Sequence, residues 1–162
     1  MAILATLCFI CKDGKILLQR KANGRFGAGK WNMPGGKVKE NESIQDAVKR
    51  EVEEETGLKL KDVFQVGKIN FFFIGQKEPA WVVHVFEANG FEGKEIASDE
   101  GELKWFDKAE IPFEQMWPDD KFWYPLMLNG EIFEGYFYYT EGFAKLLKHK
   151  ILKVKNFNLL AR

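Results

Sequence analysis

The chain has 162 residues, the length of one domain, and we expect a single domain over residues 1–162. Its 46% hydrophobic and 30% charged content is typical of a folded domain and excludes wholesale disorder. Lysine plus arginine and aspartate plus glutamate each number 24, so the zero net charge favours neither a nucleic-acid nor a membrane partner.

Strand and helix patterns interleave along the chain, which predicts a mixed α/β fold. Asp13-Gly14 lies between two apolar runs, as in a hairpin turn, and Gly57 stands where a glycine ends a helix. In chain order, the predicted elements are strands at 2–11 and 15–20, a loop at 21–41, a helix at 42–56, strands at 63–74, 80–88 and 103–106, a helix from Pro118 through about Leu128, a strand at 131–139 and a basic amphipathic helix at 141–153.

Cysteine and histidine contribute little to the functional prediction. Cys8 and Cys11 form a CxxC without a second metal-binding pair, so we expect them to pack in the core. His84 and His149 are far apart in sequence and suggest neither a zinc site nor a catalytic triad. The first residues lack a basic segment and a cleavage site, so no signal peptide is predicted and a cytoplasmic location is expected.

The helix predicted at 42–56 carries an unusual cluster of glutamates. Its inward stripe consists of Ile44, Ala47, Val48 and Val52. At about 100° per residue, Glu51, Glu54 and Glu55 continue that stripe, whereas Glu53 lies on the opposite face. Inward carboxylates need a partner, which a hard divalent cation would supply. A solvated helix laced with ion pairs is the alternative.

The loop before this helix adds a second indication. Pro34-Gly35-Gly36-Lys37 offers bare backbone followed by a cation, as in a phosphate cradle, with Gly36 and Lys37 as candidate contacts. A tight turn would explain the two glycines equally well. The loop gains weight from the glutamates that follow it.

Residues 36–58 resemble the Nudix box, G-x5-E-x7-R-E-U-x-E-E-x-G-U, at every fixed position. The resemblance implies an α/β/α sandwich with a mixed sheet, the box forming a loop–helix–loop. It also implies hydrolysis of a nucleoside diphosphate derivative with Mg²⁺, or Mn²⁺ as a substitute. The implied metal ligands are the Gly35 carbonyl, Glu51, Glu54, Glu55 and the more distant Glu100. Arg50 would orient the carboxylates, and Glu51 is our first choice of general base, with Glu54 and Glu100 as alternatives.

Segments outside the box resemble the branch of Nudix enzymes that hydrolyses oxidised purine nucleoside triphosphates. The matching segments, within residues 5–140, are 26–32, 83–86, 98–100, 105–106, 111–120, 122–123 and 125–126. By this resemblance Asp119 and Asp120 would read the purine edge, Trp117 would stack on the ring and Asn32 would add an amide contact. The remaining implied contacts are Thr6, Lys21, Phe26, Phe71 and Trp81.

Two adjacent buried aspartates should not both ionise, so one would keep its proton and the pair would offer a donor and an acceptor. A helix N-cap is the alternative role for these aspartates. The favoured function is metal-dependent hydrolysis of an oxidised purine nucleoside triphosphate to the monophosphate and pyrophosphate by a monomeric enzyme. The alternatives are hydrolysis of ADP-ribose or a dinucleoside polyphosphate, and a non-catalytic nucleotide-binding module. The 141–162 segment is expected to be a basic helix or tail.

Overall fold

The computed structural model describes residues 1–157, in which nine β-strands and two α-helices are found. The strands are β1 (Ile3–Phe9), β2 (Cys11–Lys12), β3 (Lys15–Lys21), β4 (Trp31–Asn32), β5 (Lys59–Phe73), β6 (Trp81–Glu92), β7 (Gly101–Asp107), β8 (Phe133–Tyr139) and β9 (Leu146–Lys153). The helices are α1 (Ile44–Thr56) and α2 (Asp120–Leu128). Neither helix is long and apolar enough to cross a membrane.

The strands form two sheets. The larger has the order β1-β6-β5-β8-β9 and is mixed, because β1 runs parallel to β6 and β5 parallel to β8, whereas the other neighbours are antiparallel. The smaller is built on β3, which pairs with β7 along its whole length and with the short strands β2 and β4. The predicted α/β class with a mixed sheet is confirmed.

Helix α1 begins two residues later than predicted and ends where predicted. The Ser43 hydroxyl caps it by accepting a hydrogen bond from the Asp46 backbone N–H at 3.0 Å. Gly57 ends it in a left-handed conformation, with φ of 78°, and donates its N–H to the Glu53 carbonyl. The predicted inward stripe is confirmed, since its last three members are fully buried, and Ile44 packs at its edge.

The two helices cover opposite faces of the larger sheet. Alternate residues of a strand point to opposite faces, and β1 supplies both cores. Cys8 packs in a smaller core with Val48 and Val52 of α1. Ala5 packs in a larger core with Trp123 of α2. The sheet is therefore sandwiched between α1 and α2.

The predicted C-terminal helix at 141–153 is wrong, because most of that segment forms strand β9. It pairs antiparallel with β8, with Lys150 opposite Tyr136 and Lys153 opposite Phe133. Lysines interleaved with apolar residues are compatible with a solvated edge strand as well as with an amphipathic helix. The strand is favoured here because it pairs with the backbone N–H and C=O groups along the free edge of β8. Residues 158–162 of the predicted tail lie outside the described residues.

The predicted N-terminal hairpin is also partly corrected. Asp13 and Gly14 both have positive φ, 53° and 77°, and turn β2 into β3 as predicted. Strand β1, however, leaves this hairpin and pairs with β6, because the larger sheet buries its apolar residues. Core packing is confirmed for Cys8 but is wrong for Cys11, which is exposed.

Candidate active site

A cavity of about 640 Å³ opens beside the larger sheet and collects most of the predicted site residues. All eleven residues predicted to bind substrate line it: Thr6, Lys21, Phe26, Asn32, Gly36, Lys37, Phe71, Trp81, Trp117, Asp119 and Asp120. Four of the five predicted metal-binding residues also line it: Gly35, Glu51, Glu55 and Glu100. Residues as far apart in the chain as Thr6 and Asp120 are thus brought to one space.

Gly35 and Gly36 form the floor of one end of the cavity. The Gly35 N–H donates to Glu55 Oε1 at 3.0 Å. A Cβ on Gly35 would collide with the Thr6 carbonyl, and one on Gly36 would collide with the Glu51 carboxylate. Both positions therefore require a bare backbone, which lets α1 bring its carboxylates against this loop.

Thr6 and Lys37 fix the edges of the same loop. The Thr6 hydroxyl donates to the Gly36 carbonyl at 3.2 Å and its backbone N–H donates to the same oxygen at 2.8 Å. The Lys37 ammonium lies 5.5 Å from the centre of the Trp81 ring. Lys37 is therefore a cation at the cavity wall whose charge no carboxylate among the described contacts neutralises.

Glu55 is the most deeply buried of the glutamates on α1. Its Oε2 lies 3.5 Å from the Lys21 ammonium, which is also 4.0 Å from Glu100. Burial raises the pKa of Glu55 to about 7, although Lys21 and the Gly35 N–H oppose that rise. A buried carboxylate with one distant ammonium partner retains a strong affinity for a cation.

Arg50 gathers the other carboxylates of the box. Its guanidinium donates to both oxygens of Glu42, at 2.7 and 3.0 Å, and to Glu51 and Glu54 at 2.9 and 3.1 Å. A fifth hydrogen bond reaches the Lys37 carbonyl at 3.1 Å. These contacts lower the pKa of Glu42 to about 2. Arg50 lies outside the cavity lining, where it can orient carboxylates without touching a ligand.

Glu54 differs from its expected inward orientation. Its side chain is 55% exposed and reaches back to Arg50 across one helical turn. Within residues 1–157, no three carboxylate, imidazole or thiol groups converge as a metal cage. The donors at this end, the carboxylates Glu51, Glu55 and Glu100 and the Gly35 carbonyl, are all oxygens and fit a hard divalent cation.

The opposite end of the cavity holds the buried aspartate pair. Asp119 and Asp120 are 3% and 2% exposed, and the Asp119 side chain makes no capping hydrogen bond to α2. Asp119 instead accepts from the Tyr139 hydroxyl at 2.5 Å and from the Trp123 indole N–H at 2.9 Å. Burial raises the pKa of both aspartates, and the charge of Asp119 raises that of Asp120 further. Asp119 occupies the N-cap position of α2, but its side chain does not cap the helix.

Asn32 lies beside this pair with its amide orientation fixed. Its Oδ1 accepts from the Met33 backbone N–H at 2.9 Å and from the Tyr124 hydroxyl at 3.3 Å. Since its oxygen is used by the protein, its amide N–H groups are left to donate into the cavity. Asn32 can therefore recognise an acceptor on a ligand.

Aromatic rings form the mouth of the cavity. Phe26 stacks on Trp117, with ring centres 5.3 Å apart, and on Trp81 at 6.1 Å. Phe143 meets Trp117, Phe26 and Phe71 edge-on, at 5.7, 5.9 and 5.6 Å. Flat apolar walls of this kind favour a planar heteroaromatic ligand.

Sequence reasoning missed several residues of the site. Arg25, which lines the cavity and pairs with Glu100 at 3.3 Å, could have been found as a cation in a glycine-rich loop beside Phe26. Phe143 was hidden by the helix predicted for its segment. Tyr124 and Tyr139 act behind the cavity wall, and no local pattern distinguishes them from other core tyrosines.

The family model described as the NUDIX domain matches residues 1–127. The chain belongs to the Nudix family. Nudix hydrolases generally use divalent metal ions, in agreement with the oxygen donors beside α1. The predicted Nudix sandwich, with α1 as the helix of its loop–helix–loop, is confirmed.

Similar Nudix proteins extend over nearly the whole chain. The chain is 44% identical over 153 residues to the oxidized purine nucleoside triphosphate hydrolase of Danio rerio, covering 94% of this chain and 96% of that protein. It is 40% identical over 154 residues to the protein of the same name from Mus musculus, covering 95% and 97%. A solved MutT protein from Bacillus halodurans superposes with a TM-score of 0.80 at 31% identity, covering 92% and 97%.

Proposed function

We propose that this Nudix protein hydrolyses oxidised purine nucleoside triphosphates, such as 8-oxo-dGTP or 2-hydroxy-dATP, to the monophosphate and pyrophosphate, and so removes them from the nucleotide pool. The supporting observation is one cavity with two chemically different ends. Glutamates and bare backbone lie at one end, and a buried aspartate pair among aromatic rings lies at the other. The relatives named above support the substrate class.

The base would occupy the aromatic end. Trp117 would stack on the purine ring, and Phe26 and Trp81 would supply further aromatic walls. One neutral and one ionised aspartate would offer a donor and an acceptor to the purine edge, and Asn32 would add a second donor. Because these groups are buried, a base that leaves them unpaired would be rejected strongly.

The triphosphate would lie toward the glutamate end. Lys21, Arg25 and Lys37 bring positive charge to this part of the cavity. The bare Gly35–Gly36 backbone lets the Glu51 and Glu55 carboxylates lie against this loop, where the phosphates would approach them. We propose Mg²⁺, with Mn²⁺ as a substitute, held by Glu51, Glu55, Glu100 and the Gly35 carbonyl. Bound there, it would neutralise charge on the phosphates and lower the pKa of a coordinated water.

Glu51 is the proposed general base. Arg50 donates to its Oε1, which leaves Oε2, against Gly36, to accept a proton from the attacking water. Glu100 is the weaker alternative because Arg25 and Lys21 already neutralise it. Glu54 is the other alternative, but its exposed side chain lies outside the cavity lining.

The proposed enzyme acts as one domain and without a protein partner. We propose that residues 1–162 form one catalytic domain, that it works as a monomer and that it acts in the cytoplasm. The small-molecule substrate would enter at the aromatic mouth.

A substrate panel with Mg²⁺ tests the proposed function. We expect the highest kcat/KM on 8-oxo-dGTP or 2-hydroxy-dATP, with dGTP and ADP-ribose well below, and release of pyrophosphate rather than phosphate. Glu55→Gln provides the inactive control. Dominant hydrolysis of ADP-ribose, or nucleotide binding with no release of pyrophosphate, would contradict the proposal.

A further inference from the structure

Tyr139 contacts the aspartate pair from behind the cavity. It ends strand β8, and its side chain is fully buried. Its hydroxyl donates to Asp119 Oδ1 at 2.5 Å and accepts from the Asp119 backbone N–H at 3.2 Å. With the Trp123 indole N–H on Oδ2, each oxygen of Asp119 receives a donor from the protein. Asp119 is thereby held in its ionised, hydrogen-bond-accepting form.

Asp120 has the opposite environment. Among the described contacts its Oδ2 has no hydrogen-bond partner, although the residue is 98% enclosed and lines the cavity. A second carboxylate beside an ionised Asp119 would be repelled, so Asp120 carries the proton. Its O–H is then a donor that only Asp119 or a ligand can receive.

The two donors of the pocket lie near each other. Tyr124, which holds the Asn32 oxygen, follows Asp120 by one turn of α2, so the Asn32 amide and the Asp120 hydroxyl are on one side. Asp119, the acceptor, is held on the side of β8 by Tyr139. The pocket therefore has a fixed donor side and a fixed acceptor side.

Purines of two edge types fit this arrangement differently. A 6-oxo, 2-amino purine offers a carbonyl oxygen to donors and N–H groups to an acceptor. A 6-amino, 2-oxo purine exchanges donor and acceptor at those two positions. To bind it in the same orientation, the two aspartates would have to exchange their proton, which the Tyr139 hydroxyl opposes.

We propose that Tyr139 is a positioning residue that locks Asp119 as the acceptor and Asp120 as the donor, and so biases the pocket toward 6-oxo, 2-amino purines. This inference rests on the proposed function, because it assigns the edge that the same pocket selects. Tyr139 does not line the cavity, and its hydroxyl acts on the pocket through Asp119.

Tyr139→Phe removes the one hydroxyl and retains the ring. We expect the ratio of kcat/KM for 8-oxo-dGTP to that for 2-hydroxy-dATP to fall about tenfold, the scale of one hydrogen bond to a charged group. The same ratio should fall when the affinities of the two monophosphate products are measured by calorimetry. Tyr138→Phe, which removes a hydroxyl from the opposite face of β8, is the matched control and should keep the wild-type ratio.

The pH profile separates positioning from a structural role. The Tyr139 hydroxyl holds the pKa of Asp119 down against the effect of burial, so its loss should move the acidic limb of kcat/KM to higher pH. Within residues 1–157, the other titratable group that acts on the pair is Tyr124 on α2. Burial raises the pKa of both Tyr124 and Tyr139, which keeps both hydroxyls neutral. A loss of stability alone would not move this limb.

The outcomes distinguish the two proposals. Wild-type protein that hydrolyses neither oxidised purine would overturn the proposed function. Active wild-type protein that prefers 2-hydroxy-dATP would overturn the assigned arrangement. A Tyr139→Phe variant that loses activity equally on both substrates, with an unchanged pH profile, would show that Tyr139 serves packing only.

Discussion

At the scale of single residues, the cavity is defined by buried carboxyl groups with different partners. Glu55 contacts the Lys21 ammonium and the Gly35 N–H, and this environment suits a carboxylate that binds a metal cation. Asp119 and Asp120 face tyrosine, indole and each other, and this environment suits a shared proton. The same functional group can therefore bind a metal at one end and a base at the other.

Glu55→Gln should separate these two tasks. Loss of the buried charge should lower kcat about 10²–10³-fold, the scale of one electrostatic contact to a reacting centre. Affinity for 8-oxo-dGMP should stay within about twofold, because the base pocket is untouched. Steady-state kinetics and calorimetry measure the two effects. A variant with wild-type kcat would remove Glu55 from the proposed metal site.

Asp119→Asn should do the reverse. The new amide must place its NH₂ against either the Tyr139 hydroxyl or the Trp123 N–H, both of which donate to Asp119 in the wild type. We expect base affinity to fall about tenfold or more, and discrimination between purines to weaken. Competitive binding of the monophosphates provides the measurement. Unchanged affinity and unchanged substrate ranking would exclude a role in base recognition.

Buried His84, which is not part of the cavity lining, is expected to make the protein less stable in acid. Burial lowers its pKa to about 4, and its Nδ1 lies 2.7 Å from Gln65 Nε2. Between pH 6.5 and 4 the unfolded chain binds a proton that the folded protein refuses, so stability present above pH 6.5 should decline by about 3 kcal/mol as the pH falls through this window.

Urea unfolding at several pH values tests this effect. His84→Gln should flatten the slope of the free energy of unfolding against pH between pH 4 and 6.5. Equal slopes in wild type and His84→Gln would mean that other groups cause the acid sensitivity.

At the scale of elements, prediction succeeded where local rules and packing agree. Helix α1 has an apolar stripe and a glycine stop, and both act within a few residues. Strand β9 was predicted as a helix because the spacing of its lysines and apolar residues fits both a helix and a strand. Pairing with the open edge of β8, which the sequence does not reveal, decides for the strand. That error also concealed Phe143, which a turn with positive φ at Gly142 and Phe143 directs into the aromatic mouth.

The contact between Gly36 and Glu51, where the glycine loop meets α1, can be tested by substitution. Gly36→Ala adds a methyl group that collides with the Glu51 carboxylate and should displace it from Arg50 and the cavity. We expect kcat to fall at least about tenfold, since small displacements of reacting groups are costly. Affinity for 8-oxo-dGMP should change little. A Gly36→Ala variant of normal kcat would refute the collision argument.

At the scale of the whole molecule, the cavity should couple ligand binding to global stability. Saturation with 8-oxo-dGMP at about 100 times its Kd should contribute about 2.7 kcal/mol to the free energy of unfolding. In a chain of this size that corresponds to a rise in Tm of about 5–10 °C. Thermal denaturation measures it, with ADP-ribose as the comparison ligand. A larger rise with ADP-ribose would contradict the assignment of the base pocket.

The global arrangement also shows what the sequence could not supply. All eleven residues expected to contact substrate line one cavity. Sequence motifs could identify these residues without any knowledge of the distances between them. The partners of those residues were not predictable. Tyr139 meets Asp119 across twenty positions of chain, and Lys21 meets Glu55 between two elements that no local pattern connects.

The order of the site along the chain has an evolutionary consequence. Apart from Glu100, the proposed metal-binding residues lie before Gly57, whereas Trp117, the aspartate pair, Tyr139 and Phe143 all come from the last third of the chain. Under the proposed function, substitutions in that last third would change residues that contact the base and leave the metal-binding residues before Gly57 in place. Phe26 and Asn32, from the first third, line the same pocket. Descendants of one ancestral gene could therefore change the accepted base through either part of the chain while inheriting the same glutamates.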